Sequence, residues 1–408
     1  MPFNRTIDTL SEHARRAIIF ATICFSAPGL AADGSADPYS FDAQYRLDYW
    51  TGLSGRLKSR VRHAGNLDLR LSVDASKAWG WEDTRFLVHA IATHGNHPNG
   101  LQGTAQGFDN IEVTVNTTRI FQAWGETNFF DERLSVLFGL LDLNAEFQVT
   151  ESSATLIHPS FGTGSELAQT GRAGPSVFPL SSLALRAAWK FNDEISLRTA
   201  LFDGVPGDPA HPRGTHIRLG RGDGTLLINE LAYSQKANEH SVNKLAVGAW
   251  RYSSRFNHHL DTDSNGDPVR HKNRGAYILG ERTVWQINEG GSRGVDAFFR
   301  LGWAAGAVNQ MDTALGAGLL WRGPFESRPQ DKLTFGIAAE HNSHKWRAAK
   351  RAAGEADPPV EAAYEISYRA VVNDWFSLQP DVQWVRSHGN SAPNNKALLL
   401  GLRLDFTF

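Results

Sequence analysis

Residues 67–73 read LDLRLSV, so that every second residue is apolar and the residues between them are polar. Successive side chains of a β-strand point to opposite faces, whereas one face of a helix needs apolar residues three and four positions apart. The same period of two returns at 183–191 (LALRAAWKF) and at 195–201 (ISLRTAL). The pattern predicts strands that each have one apolar and one polar face.

The alternation continues along the chain and predicts sixteen strands. Most of them have the ~9–11 residues that a tilted strand needs to cross a membrane. The predicted strands are 41–54, 66–77, 84–94, 117–130, 133–143, 180–191, 194–203, 224–236, 241–252, 275–287, 294–306, 312–322, 331–342, 361–373, 375–387 and 396–408. They indicate an all-β fold, a transmembrane antiparallel β-barrel of about 16 strands.

The connections between the predicted strands differ in length on the two sides of the barrel. Connections after even-numbered strands are short, whereas most of those after odd-numbered strands are long. The long connections are 95–116, 144–179, 204–223, 253–274 and 343–360. Short periplasmic turns and long external loops are typical of outer-membrane barrels. We therefore expect both termini on the periplasmic side.

Aromatic residues lie close to the predicted short turns, where the strands leave the membrane. Amphipathic aromatic rings favour the headgroup level, with the ring body in lipid and the polar edge in water. The residues concerned are Trp79, Trp81, Phe129, Phe130, Phe191, Trp285, Trp321, Trp375, Phe376 and Phe408. This distribution predicts an aromatic girdle at the periplasmic rim.

The N-terminus has the features of an export signal. Three arginines within the first 16 residues precede an apolar segment at 17–30, which small residues follow. This segment is shorter than the roughly 20 apolar residues of a membrane-spanning helix. We therefore predict a signal peptide at 1–31 and a single outer-membrane β-barrel domain at 32–408.

Charge and cysteine content exclude several other classes of function. The chain has 41 basic and 43 acidic residues, so it lacks the basic excess of a nucleic-acid-binding protein. Its only cysteine, Cys24, lies in the predicted signal, and no disulfide is expected after export. Residues 261–267 (DTDSNGD) copy the start of a calcium loop, but Lys272 stands where a bidentate Glu is required. We expect a surface turn there and neither a metal site nor a cofactor.

The last predicted strand ends on an aromatic residue. Residues 398–408 read LLLGLRLDFTF, with leucines and phenylalanines on one face and Arg403 and Asp405 on the other. A final strand of this kind resembles the C-terminal signature that barrel-assembly machinery recognises in outer-membrane proteins. We expect Phe408 to take part in that recognition.

Several stretches resemble the carbohydrate-selective outer-membrane porin family of Gram-negative bacteria. The most specific is FGLLDLNAEF at 138–147, and others are TRIFQAW at 118–124 and LFDGVP at 201–206. The resemblance runs from about residue 41 to the C-terminus. It implies passive diffusion of mono- or small oligosaccharides through a water-filled, constricted channel, with carbohydrate and outer-membrane lipid as partners and no enzymatic activity.

Alternation also predicts which side chains line the lumen. In each strand the apolar parity faces lipid, so the other parity faces the channel. The arginines that this rule places inside include Arg70, Arg186, Arg198 and Arg300. Together with inward carboxylates they offer donors and acceptors to sugar hydroxyls. Alternatively, these charges pair with one another and with water.

The connection 144–179 is too long for a plain turn, and it contains several large apolar residues. We predict that it folds inward and constricts the channel. Asp142, Asn144 and Glu146 share one face at its start, where they can grip adjacent sugar hydroxyls, and Trp124 is placed to stack on a sugar ring. An equal alternative is that Asp142 and Glu146 pin the segment to wall arginines, and both roles are compatible.

Other functions are compatible with a barrel of this kind. A general small-solute porin differs only in its selectivity. An outer-membrane barrel enzyme needs a nucleophile with a base, for which Ser160 and His158 are candidates. An adhesive barrel has no need of a polar lumen. Swelling rates of liposomes in a graded set of sugars distinguish a channel from the last two classes.

Overall fold

The computed structural model describes residues 37–56, 58–236, 238–287, 291–357, 360–386 and 396–408. The predicted signal at 1–31 therefore lies outside the described residues, as does the whole predicted connection 388–395. Within the described residues the chain forms sixteen strands and four short α-helices. None of these helices is long and apolar enough to span a bilayer.

The strands follow one another as an antiparallel meander. They are β1 (Tyr39–Gly52), β2 (Val61–Asp74), β3 (Thr84–Gly95), β4 (Thr118–Phe129), β5 (Leu134–Leu141), β6 (Ser182–Lys190), β7 (Ile195–Asp203), β8 (Thr225–Ser234), β9 (Asn243–Thr262), β10 (Pro268–Gln286), β11 (Gly294–Ala304), β12 (Met311–Arg322), β13 (Lys332–Asn342), β14 (Val360–Asn373), β15 (Phe376–Arg386) and β16 (Lys396–Thr407). The helices are α1 (Ala75–Trp79), α2 (Pro98–Gln102), α3 (Ser165–Ala168) and α4 (His344–Ala352).

The sheet closes on itself. Each strand pairs with its neighbours in sequence, and β1 pairs with β16 through nine residue pairs from Gln44 opposite Thr407 to Gly52 opposite Leu399. Closure leaves no unpaired strand edge, which is the condition for a sheet to stand in hydrocarbon. The predicted all-β barrel of sixteen strands is confirmed.

The two faces of the barrel differ as the alternation predicts. On β9 the side chains of Leu245 and Val247 are exposed, whereas Ala246 and Trp250 between and beyond them are buried. The exposed apolar parity is the lipid-facing surface. All ten predicted girdle residues except Phe376 are more than a third exposed, as rings in contact with lipid must be.

The prediction of a long irregular loop at 253–274 is wrong. β9 and β10 have 20 and 19 residues, and their paired hairpin replaces the loop up to a tight turn. At this turn the carboxylate of Asp263 accepts the N–H groups of Asn265 (2.8 Å) and Asp267 (3.0 Å). The residues that resemble a calcium loop therefore form the turn of this hairpin. No group of three or more metal-ligating side chains occurs among the described residues.

All four helices lie in connections between strands, and the alternation predicted none of them. The predicted strand 66–77 ends early because the Asp74 carboxylate accepts the N–H groups of Ser76 and Lys77 and caps α1. Gly80 ends this helix in the left-handed region, with φ of 71°. The long connection 343–360 contains α4, which Ser343 caps through the N–H of Trp346.

The C-terminus closes the seam between β1 and β16. Phe408 donates its N–H to the carbonyl of Ala43 (2.8 Å) and accepts the Ala43 N–H (3.1 Å), while its ring is 58% exposed. The last residue therefore supplies two backbone hydrogen bonds to the seam and one ring to the lipid-facing girdle.

We predict that deletion of Phe408 reduces the amount of assembled barrel. The deletion removes both seam hydrogen bonds, each worth about 0.5–1.5 kcal/mol, and the terminal ring. Assembly is measured as the heat-modifiable fraction in outer membranes, and Phe408→Tyr is the matched control that keeps bonds and ring. Equal folded fractions in wild type and deletion variant would contradict the prediction.

We also predict that the long connections face outside and the termini face the periplasm. In an otherwise cysteine-free chain, cysteine at Gly207 or at Ser264 on the hairpin turn should react with a membrane-impermeant thiol reagent in intact cells. Cysteine at Gly291, on the opposite rim, should react only after the outer membrane is opened. The reverse pattern would invert the topology.

Candidate functional site

The connection between β5 and β6, residues 142–181, crosses the lumen. Near its start Glu146 pairs with Arg186 on β6 (3.2 Å), whereas the carbonyl of Thr155 accepts a hydrogen bond from Gln379 on β15 (2.6 Å). In the closed strand order, β6 and β15 lie on nearly opposite walls. The segment predicted to fold inward therefore lies inside the barrel.

Buried carboxylates of the wall hold this segment by its backbone. Glu281 on β10 accepts the N–H and the hydroxyl of Ser152, each at 2.8 Å. Glu365 on β14 accepts the N–H groups of Ile157 (2.5 Å) and His158 (3.0 Å). All but one of these contacts go to the backbone of the segment, and the Ser152 hydroxyl supplies the other.

A second segment, residues 96–117 between β3 and β4, also folds inward. The N–H groups of Ala105 and Gln106 donate to Glu361 on β14 at 3.0 Å. The side chain of Gln106 accepts the Ser160 hydroxyl of the first segment at 2.6 Å. The prediction of a plain external loop here is wrong, and the two segments form one internal layer. We call the four residues that accept backbone N–H groups of this layer the wall carboxylates: Glu230, Glu281, Glu361 and Glu365.

Alternating charges anchor the base of the 142–181 segment. Arg186 donates to Glu126 (2.6 Å) and to Glu146 (3.2 Å), and it is 3% exposed. Glu146 also lies 3.6 Å from Arg198, which is 3.7 Å from Glu230. This Glu–Arg network extends from β4 to β8, and the loop residue Glu146 is its central member. Of the predicted site residues, the structure brings together Glu146, Arg186 and Arg198.

Asp142 and Asn144 do not join this network. β5 ends at Leu141, so the alternation that placed both residues beside Glu146 stops before them. Asp142 caps a short 3₁₀ turn through the Asn144 N–H (3.0 Å), and Asn144 donates to the carbonyls of Phe147 and Gly162. Burial raises the pKa of Asp142 to about 7, opposed only by the Asn144 N–H. Both residues brace the turn that starts the segment.

Arg300 is also an anchor of the inward layer. On β11 it donates to the carbonyls of Ser160 and Gly162, the latter at 2.6 Å, and it is 5% exposed. Burial raises the pKa of nearby Glu166 on the segment, and the Arg300 charge opposes this rise. A guanidinium covered in this way is not open to a solute.

The open side of the lumen lies along β1–β4 and β7. The arginine side chains there keep between a fifth and a third of their surface exposed: Arg46 21%, Arg70 20%, Arg85 33% and Arg198 19%. By contrast, inner-face residues from β10 to β16 such as Glu365 and Arg403 are buried under the two segments. The remaining passage is therefore bordered by arginines on one side and by the inward layer on the other.

Trp124 lies beside this passage. Its ring is partly buried, and the Arg85 guanidinium stands 5.7 Å from the ring centre. Further along, Asp68 holds three groups together, at 3.1 Å from Arg46, 3.6 Å from Arg70 and 2.8 Å from His89. An aromatic face and paired charges of both signs thus border the same space.

Some residues of the site were not singled out from the sequence. Arg85 was missed because β3 carries apolar residues on both faces, with Leu87 and Ile91 on the same parity as Arg85. Glu126 was missed because the partners predicted for the segment are arginines, whereas Glu126 is a carboxylate that reaches the segment through Arg186. Inward parity on β4 places Glu126 beside Trp124 and would have indicated it.

The candidate nucleophile Ser160 is part of the inward layer. Its hydroxyl donates to Gln106 (2.6 Å) and its oxygen lies 3.2 Å from a carboxyl oxygen of Glu340, while His158 accepts the backbone N–H of Ser160. Both side chains are buried. Their contacts support the packing of the two segments.

A closed sixteen-strand barrel with an apolar outer surface and a polar interior defines a porin-type channel. The model of the carbohydrate-selective porin, OprB family, matches residues 58–408, and the chain belongs to this family. It is a channel protein and not an enzyme. Family and fold together support a location in the outer membrane.

Individual relatives agree with this assignment. Porin B of Pseudomonas aeruginosa is 22% identical and the match covers 91% of this chain and 87% of the relative. The putative porin QuiX of Acinetobacter baylyi is 21% identical, with 91% and 89% covered. The high-pH structure of Pseudomonas putida OprB has a TM-score of 0.79 at 20% identity, covering 91% and 94%, and thus the same fold.

We predict that Arg186→Ala loosens the inward segment and raises single-channel conductance. The change leaves Glu126 and Glu146 buried without their shared cation, and breaking a buried pair costs about 3–5 kcal/mol. Limited proteolysis within 142–181 should accelerate while the barrel stays heat-modifiable. For the proteolysis measurement Arg198→Ala is the matched control, because its carboxylate partners lie at 3.6 and 3.7 Å and its side chain is more exposed. Unchanged conductance and proteolysis in Arg186→Ala would show that this arginine does not hold the segment.

Proposed function

We propose that the barrel carries monosaccharides or small oligosaccharides across the outer membrane by passive diffusion. The observation that carries this proposal is the composition of the open passage, where Arg70, Arg85 and Arg198 are partly exposed and the Arg85 guanidinium stands 5.7 Å from the ring centre of Trp124. Guanidinium groups donate in a planar fork that suits two adjacent hydroxyls. An aromatic face suits the apolar face of a sugar ring. Family membership supports the same substrate class.

Balanced charge favours a neutral solute over an ion. Along the passage Asp68 lies between Arg46 and Arg70, and Glu146 lies between Arg186 and Arg198. An ion passing there meets both signs at short range, whereas a sugar exchanges its hydration shell for hydrogen bonds to either sign. The sites selected from the sequence therefore fall into two groups. Arg70, Arg198 and Trp124 border the passage, and Asp142, Asn144, Glu146, Arg186 and Arg300 shape it through the 142–181 segment.

The proposal includes export and assembly. The chain reaches the outer membrane through cleavage of a signal at 1–31, and barrel-assembly machinery receives it through the strand that ends at Phe408. The barrel then stands with short turns in the periplasm. The constriction is formed by the layer that the two inward segments build.

We predict that Trp124→Ala reduces discrimination in favour of sugars. Liposome swelling is measured with a monosaccharide, a disaccharide and an uncharged amide of the same size as the monosaccharide. The wild type should pass the monosaccharide faster than the amide, and loss of ring stacking, worth about 0.5–1.5 kcal/mol, should lower this preference about two- to twelvefold.

Trp189→Ala is the matched control, because Trp189 lies on the outer parity of β6 and is exposed to lipid. It should leave the preference unchanged. If the wild type passes the amide and the monosaccharide at equal rates, the channel is a general small-solute porin. A preference that survives in Trp124→Ala would remove this residue from the selecting site.

A further inference from the structure

The β9–β10 hairpin extends well beyond the membrane. A tilted strand crosses the bilayer in ~9–11 residues, and β9 and β10 have 20 and 19. Counted from Asn243 at the short-turn rim, β9 has completed the crossing near Arg251. The remaining half of the hairpin, which includes residues 253–262, therefore stands outside the hydrocarbon.

The outward face of this extension is basic. Ala249 and Ala276 are opposite each other on the lipid-facing parity, and Arg251 and Arg274 form the next outward pair above them. Lys272 and Arg255 are directly opposite each other in the following pair. Arg270 stands beyond, opposite Asn257. We call these exposed residues the basic cluster: Arg251, Arg255, Arg270, Lys272 and Arg274.

The cluster has no acidic partners within the described part of the chain. None of its five cations lies within 4 Å of a carboxylate oxygen there, and the acidic residues of the part beyond Arg251 and Arg274 are at its tip, between Asp261 and Asp267. Arg255 and Arg270 donate only to each other's backbone carbonyls. Like charges directly opposite each other destabilise a strand pair. Folding alone does not account for this arrangement.

The surroundings place the cluster at the level of lipid headgroups. Trp303 on β11 is paired with Ala276 and is 44% exposed on the outer face, as rings at the membrane interface are. Below it lie the exposed apolar side chains of Leu245 and Val247. Above it, Arg255, Lys272 and Arg274 line an open cleft of about 530 Å³. Along the outer surface, in the direction of the hairpin tip, the apolar side chains come first, the ring of Trp303 second and the cations third.

We propose that the basic cluster binds the phosphate groups of outer-leaflet lipopolysaccharide, with the acyl chains against the apolar wall below. Lysine and arginine side chains next to a membrane attract anionic headgroups, and the phosphorylated glycolipid of the outer leaflet supplies such groups at this height. The site is separate from the lumen. It rests on the outward orientation of the hairpin in the proposed topology, but not on passage of sugars.

The test compares binding of defined lipids to the purified, folded barrel in detergent. The probes are bisphosphorylated lipid A and the same lipid after removal of both phosphates. The variant is Arg251→Gln/Lys272→Gln/Arg274→Gln, whose side chains make no protein hydrogen bond or ion pair among the described residues. Each cation near an anionic lipid surface contributes about a factor of five in affinity. The triple variant should therefore bind bisphosphorylated lipid A about a hundredfold more weakly than the wild type.

The matched control removes three exposed cations near the opposite rim, as Arg133→Gln/Lys190→Gln/Arg282→Gln. It should bind lipid A as the wild type does, and sugar-driven swelling should be unchanged in both triple variants. A large excess of inorganic phosphate should not displace the lipid.

Several results would overturn the proposal. Equal binding by wild type and Arg251 triple variant is one, and equal binding of phosphorylated and dephosphorylated lipid A by the wild type is another. Displacement by inorganic phosphate would make the cluster a free-anion site. The comparison of the two lipids needs only the wild type, so it decides the matter even if the variant does not assemble. Binding is measured in detergent, so a negative result would contradict the lipid site without bearing on sugar transport or on the topology.

Discussion

Inside a bilayer each unpaired backbone N–H or C=O costs several kcal/mol, and this cost determines the architecture of the whole chain. A sheet meets the requirement only if its first and last strands pair, as β1 and β16 do here. Closure in turn creates an interior that lipid cannot reach. In this interior, carboxylates and guanidinium groups can be placed at close range, and long connections can return into the barrel without meeting hydrocarbon.

The inward segments use that interior in a specific way. The wall carboxylates accept backbone N–H groups of 96–117 and 142–181, and Arg300 donates to backbone carbonyls of the second segment. Charged groups on rigid strands thus satisfy the polar backbone of irregular segments, which otherwise needs water. The arginines of the wall also differ in role according to whether they lie beneath these segments or beside them. Those under the layer hold it, and those beside it remain open to a solute.

Much of this could be predicted from the sequence, because strand alternation is a local signal. It located the strands to within a few residues at most ends, and it placed Arg186 and Arg198 inside, where Glu146 meets them. The inward course of 96–117 was missed because its acceptor, Glu361, lies on β14, far along the chain. The long β9–β10 hairpin was missed for a different reason. Beyond the membrane neither face is apolar, so a paired strand shows no alternation.

The backbone contacts of the wall carboxylates have one more consequence. An acceptor that binds N–H groups recognises the path of a chain and is indifferent to which side chains the chain carries. Glu361 and Glu365 accept N–H groups of the present segments and would accept those of other segments with the same length and course. The barrel wall can therefore hold inward segments of different sequence. Channels of different width and selectivity can arise by replacing residues of the inward layer while the wall stays the same.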